Sequence, residues 1–200
     1  MIDPYEDIKR LMTHKDAQIR SRVLNLIGNM CRHSGYFYKK LSAHGIIRLC
    51  TALCEDEDKT IKKYACVAIG NASFHDDTLY EALRPAIPIL VNLLKDTEEK
   101  TRSNAAAALG NLARNSALLD KDFINTGANY QLVNMLTQDK SAAAKKVSIM
   151  AIINLLELPE SKKVLIGLEV GKLLQKMLQS ALSSDAGLVK SAQKALEKLK

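Results

Sequence analysis

Four asparagines recur along the chain at nearly constant spacing, and their amides are the first candidates for chemistry. Asn29, Asn71, Asn111 and Asn154 are separated by 42, 40 and 43 residues. An asparagine amide both donates and accepts hydrogen bonds, so it can pair with both groups of an extended peptide backbone. The same amides can instead hydrogen-bond a neighbouring repeat and hold it in register, because half-buried amides are usually satisfied within a protein. The sequence leaves both functions open.

Arginines and aromatic residues accompany these asparagines on what helical periodicity predicts to be one face. Arg22, Arg32 and Arg114 can bind carboxylates bidentately, and Tyr64 and Phe74 can act as apolar anchors. We expect this face to line the inner, concave side of a repeat structure. The predicted partner-binding residues are Arg22, Asn25, Asn29, Arg32, Tyr64, Asn71, Phe74, Asn104, Asn111, Arg114 and Asn154.

The cysteines and histidines do not form a pattern that favours a metal or catalysis. Cys50 and Cys54 are four residues apart among leucines, whereas zinc sites favour tighter pairs such as C-x2-C. We expect Cys31, Cys50, Cys54 and Cys66 to be small buried thiols. The sequence holds no Ser/His/Asp order, nucleophile elbow or phosphate loop. It therefore predicts no enzyme activity, no catalytic residue, no cofactor, no metal and no small-molecule substrate.

The elements that position the asparagines are helices that recur with the same period. The aligned stretches are SRVLNLIGNMCRHS, KYACVAIGNASFHD, SNAAAALGNLARNS and KVSIMAIINLLELP, and a fainter fifth copy places Glu197 in the asparagine column. Each stretch follows a second apolar helix and an acidic or polar turn. A short helix precedes most of these pairs, and we expect Gly45, Gly127 and Gly171 to end it, with Pro85 and Pro88 in the remaining unit.

One side of each long third helix is predicted to be core. At about 100° per residue, the positions −10, −6, −3, −2 and +1 from the asparagine cluster together; in the first unit they hold Ile19, Val23, Leu26, Ile27 and Met30. Gly28, Gly70 and Gly110 are expected to allow close helix approach. One unit cannot bury its apolar side alone, so the copies must stack into a solenoid.

The predicted fold is all-α: a right-handed α-α superhelix of about four to five repeats. We expect one domain over residues 1–200, with units near 1–34, 35–77, 78–116, 117–158 and 159–200, of which the first is incomplete.

Composition excludes several other classes of protein. The chain is 47% hydrophobic and 26% charged, which is ordinary for a folded domain and argues against disorder. Its longest mostly apolar stretch, residues 147–156, is too short to cross a bilayer. The charged N-terminus lacks the apolar region of a signal peptide, and four sparse cysteines fit a reducing compartment. We therefore expect a cytoplasmic location without membrane insertion.

The A-x-x-A-L-G-N-L-A run at 105–113, behind a leucine-rich helix and an acidic turn, resembles armadillo repeats. Four longer stretches resemble the C-terminal, non-catalytic region of Fused-type serine/threonine kinases: 19–33, 55–75, 82–96 and 101–116. This resemblance implies a docking platform for kinesin-type or other cytoskeletal partners, with roles at the cilium or axoneme or in Hedgehog-type signalling. The sequence itself contains no G-x-G-x-x-G, V-A-I-K, H-R-D or D-F-G kinase motif.

The chain departs from peptide-binding importins, which it resembles in the asparagine column. Their partner column, four residues earlier, carries tryptophan, but here it holds Asn25, Val67, Ala107 and Met150, and the chain has no tryptophan. The slots that grip lysine stems by cation–π contact are therefore missing. We do not expect nuclear-import cargo to bind.

Two alternatives concern other surfaces. The net charge of +7 and a basic column suggest binding of nucleic acid or an anionic surface, although solvated helix edges are the commoner explanation. That column holds Arg20, Lys62, Lys63, Arg102, Lys145 and Lys146, and the tail adds Lys190, Lys194, Lys198 and Lys200. Self-association is the second alternative, because Ile8, Leu11 and Met12 lack a covering helix and are expected to be exposed.

Overall fold

A computed structural model describes residues 3–179 and 185–199 of the chain. Within these ranges the secondary structure consists of α-helices and two short 3-10 turns, so the all-α prediction is confirmed. Lys200, which belongs to the predicted basic tail, lies outside the described residues. None of the helices described is long and apolar enough to span a membrane.

Five long helices carry the aligned stretches. They are α2 (Ala17–His33), α5 (Lys59–Ala72), α8 (Glu99–Asn115), α11 (Ala142–Leu155) and α14 (Ala186–Leu199). Alanine, which favours helix, recurs in α5, α8, α11 and α14, and side chains cap several of the five helices. Asp16, Asp58 and Ser141 each accept a backbone N–H of the following turn, at 2.7–3.2 Å. We call these five the third helices.

Shorter helices complete each repeat. The second helices are α1 (Pro4–Met12), α4 (Ile46–Leu53), α7 (Ala86–Leu93), α10 (Ala128–Gln138) and α13 (Val170–Gln179). The first helices are α3 (Tyr38–Ala43), α6 (Tyr80–Leu83), α9 (Asp120–Asn125) and α12 (Pro159–Gly167). The 3-10 turns Gly35–Phe37 and Ala117–Leu119 precede α3 and α9.

The third helices stack on one another in chain order, and each second helix packs against the third helix of its own repeat. Their apolar residues form one continuous buried core that runs from Met12 to Ala195. This is the arrangement of a solenoid, in which each repeat buries its apolar side mainly against its neighbours.

Glycine allows the third helices to approach each other closely. A Cβ added at Gly110 would lie 2.9 Å from Cα of Ala151 on α11, and one at Gly70 would lie 3.4 Å from Cα of Ala108 on α8. At Gly28 the nearest atom, Cα of Ala68, would be 3.6 Å away, which is ordinary contact. The prediction of close approach is therefore confirmed most strongly for Gly110.

The junction between α11 and α14 is built differently. Ile153 takes the position that glycine holds in the three preceding third helices, and Glu197 takes the position of the asparagine. An ion pair instead joins Lys198 on α14 to Glu157, which lies in the turn just after α11.

The prediction that Leu26 belongs to the core is wrong. Leu26 is 50% exposed, whereas Ala68, Ala108 and Ala151 at the same position are buried. Each of those alanines packs against the preceding third helix, and no third helix precedes α2 among the described residues. The expected exposure of the first unit is also partly wrong, because Met12 is fully buried while Ile8 and Leu11 are half-buried.

The turn before α13 also differs from expectation. Gly45 (φ 70°) and Gly127 (φ 72°) adopt the left-handed conformation directly before α4 and α10. This conformation is typical of glycines that end a helix, as predicted for both. Before α13 that position is Glu169 (φ 54°), and Gly171 lies inside the helix. A side chain with a Cβ is strained in this conformation.

Replacing Gly110 by alanine should destabilise the fold, because its methyl group would contact backbone that cannot move independently of α11. Gly28→Ala is the matched control, since it brings the same gain in helix propensity without the close contact. We expect Gly110→Ala to be less stable than Gly28→Ala by about 1–3 kcal/mol in urea denaturation. Equal stability would contradict the close packing.

Replacing Glu169 by glycine should raise stability by about 1 kcal/mol, because it removes left-handed strain and loses only an exposed ion pair with Lys172. Gly45→Ala is the reciprocal variant and should lose a similar amount, since its Cβ would meet nothing within 4 Å and only the backbone conformation is affected. Thermal unfolding measures both changes. A Glu169→Gly variant that is less stable than wild type would contradict backbone strain at Glu169.

Candidate partner-binding surface

One side of the third helices displays the residues predicted to bind a partner. Counted from each asparagine, positions −7, −4, 0 and +3 of the first four repeats form four rows along α2, α5, α8 and α11, and we call this surface the third-helix face. At position +3, Phe74 and Glu157 lie two residues beyond the ends of α5 and α11. All eleven predicted partner-binding residues lie on it, and each is exposed or half-buried. The structure therefore brings the predicted set together on one surface, although their role in binding stays a prediction.

The asparagines of the central row tie consecutive repeats together. The Nδ2 atoms of Asn71, Asn111 and Asn154 donate to the backbone carbonyls of Gly28, Gly70 and Gly110 at 3.0, 2.8 and 2.8 Å. Each bond reaches back to the preceding third helix at the glycine where the two helices meet. We call these three bonds the asparagine ladder, and they support the inter-repeat function of the amides.

The ladder leaves part of each amide unused. The Oδ1 atoms of Asn71, Asn111 and Asn154 accept no hydrogen bond from any residue that the structure describes, and all three side chains remain half-buried rather than sealed. Asn29 differs, because its Nδ2 reaches only Oδ1 of Asn25 at 3.4 Å and it is exposed. The row thus keeps unused amide acceptors while its donors hold the repeats together.

One edge of the third-helix face is organised around Phe74. The Arg114 guanidinium lies over the Phe74 ring, 4.6 Å from its centroid, and also donates to the Phe74 carbonyl. Asn115 donates to the carbonyls of Ser73 and Phe74 at 2.8 and 3.2 Å. Arg114 is therefore positioned by the preceding repeat rather than free, yet Phe74 remains 42% exposed.

A second set of contacts follows the loops that precede the third helices. Arg20 reaches Asp56 at 3.2 Å, Lys62 reaches Asp96 at 2.8 Å, and Arg102 binds both carboxylate oxygens of Asp139 at 2.7 and 2.9 Å. In each case the base lies at position −9 of one repeat and the acid at −15 of the next. We call these three contacts the rim pairs.

The rim acids also shape their own loops. Asp56, Asp96 and Asp139 each accept the backbone N–H two residues later, at 2.8–2.9 Å. Asp96 and Asp139 have side chains only 8% and 4% exposed. Sequence reasoning missed this function, although the acids recur with the asparagine period and lie in loops treated there only as polar turns.

Hydrogen bonds lower the pKa of Asp96 and Asp139. Those from Arg102 hold the pKa of Asp139 below its usual value, against the opposing effect of burial. Burial alone would raise the pKa of Asp96, but hydrogen bonds from Lys62 and the Glu98 N–H outweigh it and lower the pKa. Both acids are therefore bound as carboxylates.

The four cysteines are free and buried, as expected. Burial raises the pKa of the Cys31 thiol to about 12, so the reactive thiolate is scarce at neutral pH. Among the described residues no group of three His, Cys, Asp or Glu side chains is placed to hold a metal ion.

A cleft lies away from the third-helix face, between α10 and α13. It has a volume of about 640 Å³ and is lined mainly by apolar side chains, including Tyr130, Val133, Leu168 and Leu173. None of the predicted partner-binding residues lines it.

Comparison with known proteins agrees with this architecture. The sequence pattern of the armadillo/beta-catenin-like repeat matches residues 82–114, which cover α7 and most of α8. A designed armadillo repeat protein in complex with the peptide (KR)4 superimposes with a TM-score of 0.87 at 24% identity, covering 98% of this chain and 82% of that one. A computationally designed armadillo repeat protein for modular peptide recognition gives 0.83 at 26% identity, covering 96% and 81%.

The stacked three-helix repeats, the asparagine ladder and these similarities define the chain as an armadillo-repeat protein. Its sequence is related to part of two Fused-type kinases, which confirms the resemblance. Serine/threonine-protein kinase TIO of Arabidopsis thaliana is 47% identical over 139 residues, 69% of this chain and 10% of that protein. Serine/threonine-protein kinase 36 of Pongo abelii is 28% identical over 167 residues, 83% of this chain and 12% of that protein. The chain thus spans only about a tenth of the length of these relatives.

Breaking one rim pair should destabilise the repeat stack in a pH-dependent way. Asp139→Asn should lose about 2 kcal/mol at neutral pH, because it removes charge-assisted hydrogen bonds and leaves Arg102 without its acid. The lowered pKa of Asp139 means that this contribution is complete above the ordinary pKa of 3.8 and is lost as the pH falls through the lower folded-state value.

The measurement is the difference in unfolding free energy between wild type and Asp139→Asn, followed from pH 7 down to the acid limit of folding. The two curves should converge below about pH 3.8. Asp122→Asn is the control, since Asp122 pairs only with the more exposed Arg84, at 3.4 Å, and should change stability little. A constant difference across the whole range would contradict the assignment.

Proposed function

We propose that this chain is a non-catalytic scaffold that holds an extended segment of a protein partner along the third-helix face. The observation that carries the proposal is the aligned display there of unused Oδ1 acceptors beside exposed arginine, aromatic and apolar side chains. An extended segment offers N–H groups in a row, which such acceptors can bind.

The relatives suggest a more specific setting. The chain corresponds to the docking region of a Fused-type kinase, with a kinesin-type or other cytoskeletal protein as its partner. Its place is the cytoplasm, including the cilium or axoneme, and its pathway is kinesin-linked or Hedgehog-type signalling. Support comes from the sequence similarity to kinase 36 and TIO. One of the similar designed armadillo proteins is in complex with a peptide, and another was designed for modular peptide recognition.

Nucleic-acid binding through the basic column is less well supported. Arg20, Lys62 and Arg102 are each held in a rim pair with a carboxylate of the next repeat. A phosphate would have to displace an aspartate that is already bound, so half of the six basic residues are not available as free charges.

A bulky neutral substitution on the third-helix face should block partner binding. Ala107 is exposed at position −4 of α8, in the middle of the rows. Ala107→Gln should weaken capture of the partner by about tenfold, because its longer side chain occupies the path of the segment. Ala52→Gln, at an exposed position of α4 outside the face, is the matched control and should behave as wild type.

The experiment is affinity capture on the full chain followed by quantitative mass spectrometry, with circular dichroism to confirm equal folding. Proteins lost with Ala107→Gln but kept with Ala52→Gln are partners of this face. A motor protein among them favours the kinesin-linked setting, whereas import cargo or nucleoporins count against it. A captured set that does not respond to Ala107→Gln refutes binding along the third-helix face.

A further inference from the structure

The third helices that form the binding face are almost free of acidic residues. Together α2, α5, α8 and α11 contain eleven lysines and arginines but only one acid, Glu99, in the first turn of α8. Position +3 of the fourth repeat adds Glu157, just beyond the end of α11, and this acid pairs with Lys198. The acids of the chain lie mostly in loops and shorter helices instead. The third-helix face is therefore electropositive, although the whole chain has a net charge of only +7.

Several of these bases are not neutralised within the chain. Four of the eleven pair with carboxylates: Arg20, Lys59, Lys62 and Arg102. On the third-helix face, Arg22 and Arg32 are exposed and neither forms an ion pair with any residue that the structure describes. Arg114 lies over the Phe74 ring and donates to the Phe74 carbonyl, and it forms no ion pair with any residue in the described part of the chain. Its charge, like those of Arg22 and Arg32, remains available to a carboxylate.

Apolar side chains lie between these charges. Tyr64 and Val67 on α5 are half-buried, and Lys63 lies over the Tyr64 ring at 4.7 Å. Phe74, in the turn after α5, and Met150 on α11 are 42% and 54% exposed. A nucleic-acid duplex presents a hydrated phosphate backbone and would leave this apolar surface unfilled, whereas a peptide can place side chains on it.

We infer that the third-helix face takes an acidic extended peptide segment that carries apolar residues between its carboxylates. This inference rests on the proposed function and names the chemistry of the partner. Charge is the deciding observation, because a cationic peptide such as the (KR)4 bound by the designed neighbour would meet like charges at Arg22, Arg32 and Arg114. The missing tryptophans remove the contacts that would hold such a peptide despite that repulsion.

The repeat geometry sets the spacing of the ligand groups. Stacked helices lie about 10 Å apart, and an extended chain rises about 3.4 Å per residue, so about three residues pass each repeat. Arg32 and Arg114 lie two repeats apart on the same row, with Phe74 between them. Two carboxylates about six residues apart, with an apolar residue midway, would match this row.

A random 12-residue peptide library displayed on phage and selected on the full chain tests the inference. Counter-selection uses Arg22→Glu/Arg32→Glu, which reverses two unpaired charges on the face. Its matched control is Lys39→Glu/Arg48→Glu, which makes the same change in net charge at exposed positions of α3 and α4. Circular dichroism should show equal helicity for both double variants.

We expect the selected peptides to be enriched in Asp and Glu flanking apolar residues. A fluorescein-labelled synthetic copy should bind about tenfold or more weakly to Arg22→Glu/Arg32→Glu, and as wild type to Lys39→Glu/Arg48→Glu. Its affinity should fall as salt is raised from 50 to 500 mM. Replacing its acids by amides should weaken binding to a similar extent.

The other outcomes separate the two proposals. Basic or uncharged peptides that depend on the face would overturn the acidic ligand and leave the proposed function intact. Peptides that bind equally to both double variants and to Ala107→Gln would overturn both. A labelled 20-nucleotide single-stranded DNA that binds more tightly than every selected peptide, and loses that affinity in Arg22→Glu/Arg32→Glu, would also overturn the peptide assignment.

Discussion

The contact between an asparagine amide and a glycine carbonyl on the preceding third helix is the constraint on which this structure depends. The bond requires the two helices to lie close together. At Gly110 the missing Cβ makes that approach possible, and the same contact is looser at Gly70 and ordinary at Gly28. Alanine at position −3 of the next helix fills the same contact. Donor, acceptor and packing partner therefore recur with one period, and the repeats cannot slide without breaking all three.

The rim pairs add a second line of contacts parallel to the asparagine ladder. Both connect one repeat to the next, but they use different chemistry: neutral hydrogen bonds at the centre of the third helices, and charge-assisted bonds near their N-termini. Two lines of attachment resist rotation of one repeat against another better than one line does. The third-helix face, which carries the asparagine ladder, is thereby held in shape before any partner arrives, which reduces the ordering cost of binding.

Periodicity was sufficient to predict the solenoid, the helix order and the residues that share the third-helix face. It was wrong at Leu26, because the pattern marks the side of a helix that faces a neighbour but cannot show that no such neighbour precedes α2 in the described structure. It was also wrong at Gly171, because residue preference placed the left-handed turn at a glycine while the chain bends at Glu169. The Asp56, Asp96 and Asp139 series was visible in the sequence, but acidic loops are so commonly solvated that their shared period carried no evident meaning.

Ile153 and Glu197 occupy the positions that hold glycine and asparagine at the other contacts between third helices. The contact between α11 and α14 therefore differs from the contacts before it. Without the central hydrogen bond, the coupling between α11 and α14 comes from apolar contact and the pair between Lys198 and Glu157. In a nearly one-dimensional stack, the weakest joint opens first, independently of the more distant layers. The fifth repeat is therefore the one expected to separate first. Its separation would expose the side of α11 that packs against α14, while the four repeats before it kept their shape.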